Sequence, residues 1–532
     1  MPDGSAAPAT GFIERLRLPA CYPHPAGPVE LLETHISWVL LAGDFAYKVK
    51  KPVSLGFVDF STLAARRRYC EEELRLNRRT APELYLGVVP ITGTPLAPVM
   101  GGEGEAFEYA VRMRRFPQEA LLDGLAKSGA LTESIVEDFA RTVAAFHAGI
   151  ARTDGEGPFG APRTILADAV DNFAQLELLD DDAGTRAARQ ALASWTLREF
   201  NRLEEVFARR KHDGFVRECH GDLHLGNVAM LDGRPVPFDA IEFNEDFRWV
   251  DVMNEVAFPV MDLVHHGLGR LASRFVDAYL DATGDFAGLR VLRFYLVYRA
   301  MVRAKVSCIR ARQAGIAEAD RARSEAAYRG HLALAERLSQ PGAPAIIAMH
   351  GLSGSGKTTV SQGLVEALSA IRLRSDVERK RLHGLEAGAR SGSAPGGGLY
   401  TASADRMTYA HLGGLVRKVI AAGYPVVVDA AFLRGTWRTM FRELARDLGV
   451  PFVLVACAAP EAVLRERIVA RDRQGTDASE AGLAVLDHQL ASLEPLSAGE
   501  LETAVIVDSS DSATAIAAAF SALSSRLGSP LP

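Results

Sequence analysis

The first part of the chain combines strand-like and helix-like patterns of apolar positions. Large apolar residues alternate over 36–40 and 45–49, on either side of a short Ala-Gly-Asp turn, which predicts a β-hairpin. Residues 108–116 predict a further strand. Charged runs and apolar residues at three- and four-residue spacing predict helices over 62–79, 131–150, 161–211 and 289–338. Together these elements predict an α+β architecture for this part of the chain.

The pattern changes after a linker-like stretch at 339–344, which is rich in Pro and Gly. Short runs rich in Val and Ile then alternate with helical segments, at 345–350, 424–429 and 451–456. Continuous apolar runs of this kind predict buried parallel strands in a βαβ sheet. We therefore predict an α+β domain over 1–340 and a three-layer α/β domain with a parallel sheet over 341–532. The Gly/Ser-rich segment 387–398 is predicted to be flexible.

Two short predicted strands, 215–219 and 236–238, bracket a polar loop that reads His-Gly-Asp-Leu-His-Leu-Gly-Asn. Asp222 and Asn227 lie on this loop, and Asp239 ends the second strand. Phosphoryl transfer requires a carboxylate that orients or deprotonates the acceptor hydroxyl. It also requires oxygen ligands for the Mg²⁺ that bridges the ATP phosphates. The segment therefore predicts a phosphotransferase site that uses ATP and Mg²⁺.

The runs HGDLHLGNV and PFDAIEF resemble the catalytic and metal loops of the aminoglycoside phosphotransferase and choline kinase superfamily, which has a protein-kinase-like fold. The resemblance implies that Asp222 is the catalytic base, Asn227 a metal ligand and Asp239 the main metal ligand. It further implies that His220 braces the loop and that Asp251 is the structural aspartate of that family. The first domain is thus expected to have an aminoglycoside phosphotransferase-type fold.

Kinases of this type need a strand lysine that holds the α- and β-phosphates and a helix glutamate that holds the lysine. We predict Lys48, on the second strand of the hairpin, with Glu73 as its partner. Lys50 lies on the same strand face and stays the competing candidate. Apart from that role, Lys50 and Lys51 are expected at a solvated strand edge, and the basic residues 66–68 on an exposed helix face.

The segment GLSGSGKT over 351–358 matches the P-loop pattern GxxxxGK[ST] in full, after a predicted strand and before a predicted helix. Its glycines allow successive backbone N–H groups to turn toward a phosphate. Lys357 is expected to reach the β- and γ-phosphates, and the Thr358 hydroxyl to bind Mg²⁺. The predicted nucleotide-binding residues of this half are Gly351, Ser353, Gly354, Ser355, Gly356, Lys357, Thr358 and Thr359.

Three further features extend the chemistry of this half. Asp429 ends a Val-rich run, where a second magnesium ligand of the Walker B type belongs. Residues 375–379 resemble the DxxR acceptor-binding element of small P-loop kinases, in which Asp376 would accept from a substrate hydroxyl and Arg379 would hold an anionic group. A cluster of arginines predicts either a lid over the phosphates or a solvated helix with charge pairs, namely Arg465, Arg467, Arg471 and Arg473.

The second half is similar to the small P-loop kinases that include gluconate-kinase-like and zeta-toxin-like enzymes. Both halves together resemble a bacterial family of bifunctional aminoglycoside phosphotransferase/ATP-binding proteins, over nearly the whole chain. The resemblance implies an ATP-dependent kinase that acts on a small hydroxyl- or amine-bearing acceptor. Whether the P-loop half transfers phosphate or is a regulatory ATPase stays open, and the fold does not identify the acceptor. Acidic residues at 180–182 and 242–246 are compatible with a polycationic acceptor and equally with solvated loops.

Composition narrows the class of protein further. A chain of 532 residues with 48% apolar and 24% charged residues predicts two or three globular domains. The net charge of −6 provides no global field that attracts nucleic acid or an anionic membrane, and neither a secretory signal nor a membrane-spanning run is evident. Five scattered cysteines without a CxxC pair fit a reducing compartment. We expect a cytoplasmic protein of unspecified oligomeric state whose partners are ATP and a small-molecule acceptor.

Overall fold

The computed structural model describes residues 11–55, 58–176, 182–313, 315–387, 389, 399, 401–474 and 482–527. Most of the segment predicted to be flexible, 387–398, lies outside these residues, as do 180 and 181 of the first acidic run. The chain divides into two compact units. Unit 1 comprises Met1–Ile165 and Ala208–Asp262, and unit 2 comprises Leu166–Phe207 and Leu263–Pro532.

Unit 1 contains a six-stranded antiparallel sheet in the order β1-β2-β3-β8-β6-β7. Two very short strands, β4 and β5, pair separately. The strand bounds are β1 Glu30–Glu33, β2 Ser37–Ala42, β3 Phe45–Lys50, β4 Ser54–Leu55, β5 Val58–Asp59, β6 Tyr85–Thr94, β7 Ala97–Met100 and β8 Glu108–Arg114. The predicted hairpin is β2 and β3, and the predicted strand at 108–116 is β8. Strands β6 and β7 were not predicted.

The β2–β3 hairpin is covered on both faces. Side chains alternate between the two faces of a strand, so one face joins a buried cluster that includes Trp38 and Val49. The other face joins a cluster that includes Leu41 and Ala46. The turn requires Gly43, which has a φ of 58° and where a Cβ atom would lie 2.4 Å from the Pro25 carbonyl oxygen. Because both faces are covered, even the lysines of β3 are buried.

The polar loop region contains two further strand pairs. These strands are β9 Val216–Glu218, β10 Val228–Leu231, β11 Arg234–Pro237 and β12 Trp249–Asp251. The two strands predicted on either side of the loop are β9 and β11, and they belong to different pairs, because β9 pairs with β12 whereas β11 pairs with β10. The turn between β10 and β11 is Asp232-Gly233, with φ values of 49° and 76°. Asp-Gly is a recognised hairpin signal, so the sequence itself indicates the β10–β11 hairpin.

Helices make up most of the remaining chain before the P-loop. Their bounds are α1 Gly11–Arg15, α2 Leu63–Asn77, α3 Leu122–Ser128, α4 Glu133–Gly149, α5 Pro162–Leu176, α6 Ala183–His212, α7 Val252–His265, α8 Gly269–Thr283, α9 Leu289–Ala311 and α10 Glu318–Ser339. The single helix predicted over 289–338 is two helices, α9 and α10, which pack against each other. The connection contains Gly315 with a φ of 77°, a left-handed conformation that ends helical continuity.

Unit 2 contains a five-stranded parallel sheet in the order β14-β15-β13-β16-β17. The strands are β13 Ile346–His350, β14 Ile371–Arg374, β15 Val426–Asp429, β16 Phe452–Ala458 and β17 Val505–Asp508, of which β14 and β17 were not predicted. The helices are α11 Lys357–Leu368, α12 Ser375–Leu382, α13 Ala402–Ala421, α14 Gly435–Leu448, α15 Glu461–Gln474, α16 Leu483–Ser492, α17 Ala498–Thr503 and α18 Ser512–Leu527. The predicted α/β class with a parallel sheet is confirmed.

Strand β14 escaped prediction because two of its residues are arginines. Both are neutralised within unit 2 by carboxylates of α8: Arg372 Nη2 lies 2.6 Å from Asp277 Oδ2, and Arg374 Nη1 lies 3.4 Å from Asp281 Oδ2. Helix α8 thus packs against the P-loop sheet, although it precedes residue 340. The domain boundary at residue 340 stays a prediction. No helix among the described residues has the length and apolar character needed to cross a membrane.

We expect Arg372→Met to destabilise unit 2 by about 3–5 kcal/mol, because Asp277 would remain buried without its cation. The side chains of Arg372 and Asp277 are 6% and 5% exposed, so solvent cannot compensate the lost charge. Arg442→Met is the control, since Arg442 is 45% exposed and lies 3.4 Å from Glu500, a geometry in which an ion pair contributes about 1 kcal/mol or less. Denaturant unfolding followed by circular dichroism compares the two; equal losses would contradict this account.

Candidate active sites

Lys48 joins two carboxylates in unit 1. Its Nζ lies 2.9 Å from Glu73 Oε1 and 2.5 Å from Asp239 Oδ1, so β3, α2 and the segment after β11 meet at one ammonium group. Burial lowers the pKa of Lys48, but Asp239 and Glu73 raise it by more, and the pKa lies well above its usual value. Burial raises the pKa of Asp239, while Lys48 lowers it below the usual range. Lys48 and Asp239 are therefore both charged at neutral pH.

Lys50 is fully buried, which contradicts the expectation of a solvated strand edge. Its Nζ lies 2.7 Å from Glu73 Oε2 and also contacts Glu242 Oε1. The expectation for residues 66–68 is likewise wrong at Arg66, which is buried and binds Glu108 through Nε at 2.8 Å. The alternation of residues along a strand gives the face of each side chain but not how deeply that face is covered.

Residues that sequence reasoning missed fix the backbone around Asp239. Asp239 has a φ of 65°, a left-handed conformation that is uncommon outside glycine. Its backbone N–H donates to the Tyr85 hydroxyl at 3.1 Å, and the next N–H, of Ala240, donates to Asn77 Oδ1 at 2.9 Å. Helix α2 therefore contributes both Glu73 and Asn77 to the site. No local sequence signal marks Tyr85 or Asn77, because each acts across a long stretch of chain.

The polar loop brings Asp222 and Asn227 together. Asn227 Nδ2 donates to the Asp222 carbonyl oxygen at 2.9 Å and to Asp222 Oδ2 at 3.2 Å. The Asp222 side chain is 38% exposed and lies 3.6 Å from His224 Nε2. His220 Nε2 lies 2.8 Å from the Phe238 carbonyl oxygen, and the Asp222 N–H donates to His220 Nδ1 at 3.3 Å. His220 thus links the loop to the residue before Asp239, the geometry expected of a bracing side chain.

A buried glutamate that sequence reasoning missed holds the start of this loop. Glu255, on α7, accepts the backbone N–H groups of His220 and Gly221, and it lies 3.2 Å from His147 Nε2. Burial raises the pKa of Glu255, but His147 and the backbone donors lower it to about 2. Asp251, the residue matched to the structural aspartate, accepts two hydrogen bonds from the Arg210 guanidinium at 2.7 and 2.8 Å.

The P-loop of unit 2 lies between β13 and α11, as predicted. Gly354 and Gly356 have φ values of 79° and 77°, and a Cβ at Gly354 would lie 2.6 Å from the Leu464 carbonyl oxygen. Lys357 Nζ donates to the Leu352 carbonyl oxygen at 2.8 Å, within the loop. Burial lowers the pKa of Lys357, a shift that Asp429 only partly opposes. The Ser353 N–H donates to Gln489 Oε1, on α16, at 2.8 Å.

The carboxylate at the end of β15 lies beside helix α11. Asp429 Oδ2 accepts from Ser361 Oγ at 3.1 Å, a partner that the sequence did not single out. Thr358 and Thr359 follow Lys357 in the first turn of α11, and both are exposed. Asp376 lies in the first turn of α12, which follows β14 directly. Its charge raises the pKa of Lys357, so the two side chains lie near each other.

The arginines predicted for this half have different environments. Arg379 Nη1 donates to Asp405 Oδ1 at 2.8 Å and to the Leu399 carbonyl oxygen at 2.7 Å. Arg467 Nη2 donates to the Ser509 carbonyl oxygen at 2.7 Å, and Arg465 pairs with Glu461 and Asp487. Arg471 is half-buried and Arg473 is exposed. Arg465 therefore follows the solvated-helix alternative, whereas Arg467 binds beside the P-loop.

Comparisons with known proteins match both halves of the chain. Residues 58–295 match the family model described as phosphotransferase enzyme family, and residues 346–496 match the model described as AAA domain. These matches define a phosphotransferase fused to a P-loop domain, so the chain is an enzyme of the kinase class. The uncharacterised protein Rv2004c of Mycobacterium tuberculosis is 31% identical over 469 residues, or 86% of this chain and 90% of the relative. The chain belongs to the same family as Rv2004c.

Solved structures are similar to separate parts of the chain. A choline/ethanolamine kinase family protein from Mesorhizobium loti has a TM-score of 0.34 and 13% identity, covering 61% of this chain and 99% of that chain. A gluconokinase from Sinorhizobium meliloti has a TM-score of 0.26 and 26% identity, covering 35% of this chain and 95% of that chain. Similarity at this level carries no conclusion about activity.

We expect Glu255→Gln to lower stability by about 3 kcal/mol at neutral pH, the equivalent of the pKa depression of Glu255. The folded pKa of about 2 lies below the unfolded value. The contribution of Glu255 to stability is therefore complete above its unfolded-state pKa, near 4.3. It is lost as the pH falls toward the folded-state pKa. Denaturant unfolding of wild type and variant at several pH values from neutral to strongly acidic measures this.

The control for this experiment is Glu71→Gln, at an exposed ion pair with Arg67 on the same unit. It should change stability by about 0.5 kcal/mol or less at each pH. A difference between wild type and Glu255→Gln that stays constant across the pH series would show that the carboxylate charge is not what holds the loop.

Proposed function

We propose that unit 1 transfers the γ-phosphoryl group of ATP to a hydroxyl or amine of a small molecule, and that the P-loop half binds ATP at a second site. The observation that carries the proposal is the convergence of Lys48, Glu73 and Asp239 within salt-bridge distance. The charge of Asp222 also acts on Asp239, so the loop that carries Asp222 adjoins this group. The match of residues 58–295 to a phosphotransferase family supports the same assignment.

Each residue of this group then has a distinct role. Lys48 binds the α- and β-phosphates, and Glu73 holds Lys48 in place. Asp222, whose exposed carboxylate can reach an acceptor, orients the acceptor hydroxyl or amine and takes its proton as the phosphoryl group leaves ADP. Lys50 has no contact with solvent, which makes Lys48 the better candidate for the phosphates.

The donors at this site fit Mg²⁺, which prefers hard oxygen ligands. Asp239 offers a carboxylate that is 41% exposed. Asn227 is bonded through its amide nitrogen, so its oxygen serves as a second ligand atom. Asp239 and Asn227 would hold the ion, which would neutralise charge on the phosphates during transfer.

The P-loop half offers a phosphate cradle of its own. Ser355 Oγ is buried without a hydrogen-bond partner among the described residues, and a Cβ at Gly351 would lie 2.5 Å from it. An orphaned hydroxyl beside a lysine and backbone N–H groups suits a phosphate. The nucleotide-binding set is residues 351 and 353–359, with Thr358 and Asp429 as oxygen donors for Mg²⁺. Asp376 and Arg379 would bind an acceptor, which makes the chain bifunctional.

A regulatory ATPase remains the second candidate for this half. Arg379 binds Asp405 and the Leu399 carbonyl oxygen, so it is engaged within the protein rather than open to an acceptor. Gln489 also occupies the N–H of Ser353 in the P-loop. Hydrolysis of ATP without an acceptor would favour this second reading over a second kinase.

The acidic residues at 242–246 differ in how far they are paired. Glu242 is buried against Lys50. Glu245 lies 3.0 Å from Arg248 Nη2, but its side chain is 63% exposed, and Asp246 is also exposed. Glu242 is therefore unavailable to an acceptor, whereas the other two carboxylates are open to solvent.

The five cysteines are all free and buried, which fits a reducing, cytoplasmic setting.

We expect Asp222→Asn to lower kcat for acceptor phosphorylation by about 10²- to 10⁴-fold, because the amide cannot take the acceptor proton. The measurement is ATP consumption by the full chain against a panel of metabolites and antibiotics. Asp246→Asn, at an exposed position in the same unit, is the control and should retain full activity. Undiminished transfer by Asp222→Asn would reject the assigned base.

We expect Lys357→Ala to abolish ATP turnover by the P-loop half while leaving transfer that depends on Asp222 intact, since the two sites use separate residues. ADP release is measured with and without acceptor for Asp222→Asn and for Lys357→Ala. The comparison distinguishes a second kinase from a regulatory ATPase in the P-loop half. Loss of acceptor-independent hydrolysis alone supports the regulatory ATPase. Loss of one acceptor with each variant supports two kinases.

A further inference from the structure

Lys50 forms a buried charge cluster behind Lys48. Its side chain and that of Glu73 are 0% exposed, and that of Glu242 is 3% exposed. The ammonium group contacts both carboxylates and lies 5.1 Å from the centre of the Phe60 ring. Nothing in this cluster is open to a ligand, so Lys50 cannot itself bind a nucleotide.

The cluster is linked to the site through Glu73, whose two oxygens have different partners. Oε1 lies 2.9 Å from Lys48, and Oε2 lies 2.7 Å from Lys50. Glu242 lies on the same segment as Asp239, so its contact with Lys50 also ties that segment to β3. Lys50 thus has one connection to the partner of Lys48 and another to the segment that carries Asp239.

We propose that Lys50 and Glu242 are positioning residues that hold Glu73, and through it Lys48, in the arrangement that binds the ATP phosphates. This inference rests on the proposed function of unit 1, in which Lys48 is the phosphate-binding residue. It goes beyond that function by assigning a second lysine and a second glutamate to the site.

The physical reason is the balance of buried charge. Lys48 is shared between Glu73 and Asp239, and a nucleotide must compete with both for its ammonium group. Lys50 supplies a second cation to Glu73, so Glu73 does not depend on Lys48 alone. Without Lys50, Glu73 and Glu242 would face each other as buried carboxylates, and Lys48 would be drawn more strongly toward Glu73.

The test measures ATP binding at Lys48 alone, in the full chain. 5′-Fluorosulfonylbenzoyl adenosine labels lysines that lie beside bound nucleotide phosphates, and peptide mass spectrometry separates labelling of Lys48 from labelling in the P-loop half. The concentration of ATP with Mg²⁺ that half-protects Lys48 is the readout. It requires no knowledge of the acceptor, and it is independent of how fast Lys48 reacts.

The informative variant is Lys50→Met with Glu242→Gln, which removes one charge of each sign. We expect its melting temperature to stay close to that of wild type while the half-protecting ATP concentration rises about 10-fold, as for residues that orient a ligand-binding group. If Lys50 and Glu242 only stabilised the fold, the double variant would keep both the melting temperature and the half-protecting ATP concentration of wild type. Lys51→Met is the control, because Lys51 is the next residue but pairs outside the cluster with Glu33; the side chains of Lys51 and Glu33 are 14% and 62% exposed.

A second variant provides the test if the double variant does not fold. Glu242→Gln alone keeps Lys50 bound to Glu73, and we expect a smaller rise in the half-protecting concentration, about 3-fold. Wild-type protection in every folded variant would overturn the inference. Failure of ATP to protect Lys48 in wild type would overturn the proposed function itself, so the two failures are distinguishable.

Discussion

The arrangement of unit 1 depends on a buried carboxylate between two ammonium groups. Glu73 has no contact with solvent, and its charge is tolerated only because Lys48 and Lys50 each approach one of its oxygens. That requirement brings α2 and β3 together, and the second carboxylate bound by each lysine brings in the segment after β11. The geometry at Asp239 is therefore a consequence of charge balance as much as of backbone pairing.

Unit 2 also neutralises buried charges with ion pairs, and there the buried cations are arginines. Strand β14 enters the parallel sheet although it carries two cations, because α8 supplies Asp277 and Asp281 against it. A stretch of chain that the sequence assigns to the first domain thus completes the surroundings of the P-loop sheet. The strand that precedes Asp376 owes its place to ion pairs rather than to apolar residues alone, which sets it apart from β13 and β15.

The sequence predicts those parts of the structure that are encoded over a short stretch. The P-loop glycines, the hairpin around Gly43 and the polar loop with Asp222 each have a local signal, and the structure contains all three elements. Burial of Lys50 was missed because alternation along a strand does not reveal what covers it. Glu255 and Tyr85 were missed because they contact the site from distant parts of the chain, where no spacing rule applies.

The left-handed backbone at Asp239 restricts which residues can replace it during evolution. Most side chains are strained at a φ of 65°, whereas aspartate, asparagine and glycine tolerate it. A lineage that loses the carboxylate is therefore expected to pass through asparagine or glycine first, since other replacements also carry a folding cost. A relative without the carboxylate should therefore carry one of these two residues at this position if the fold around it persists.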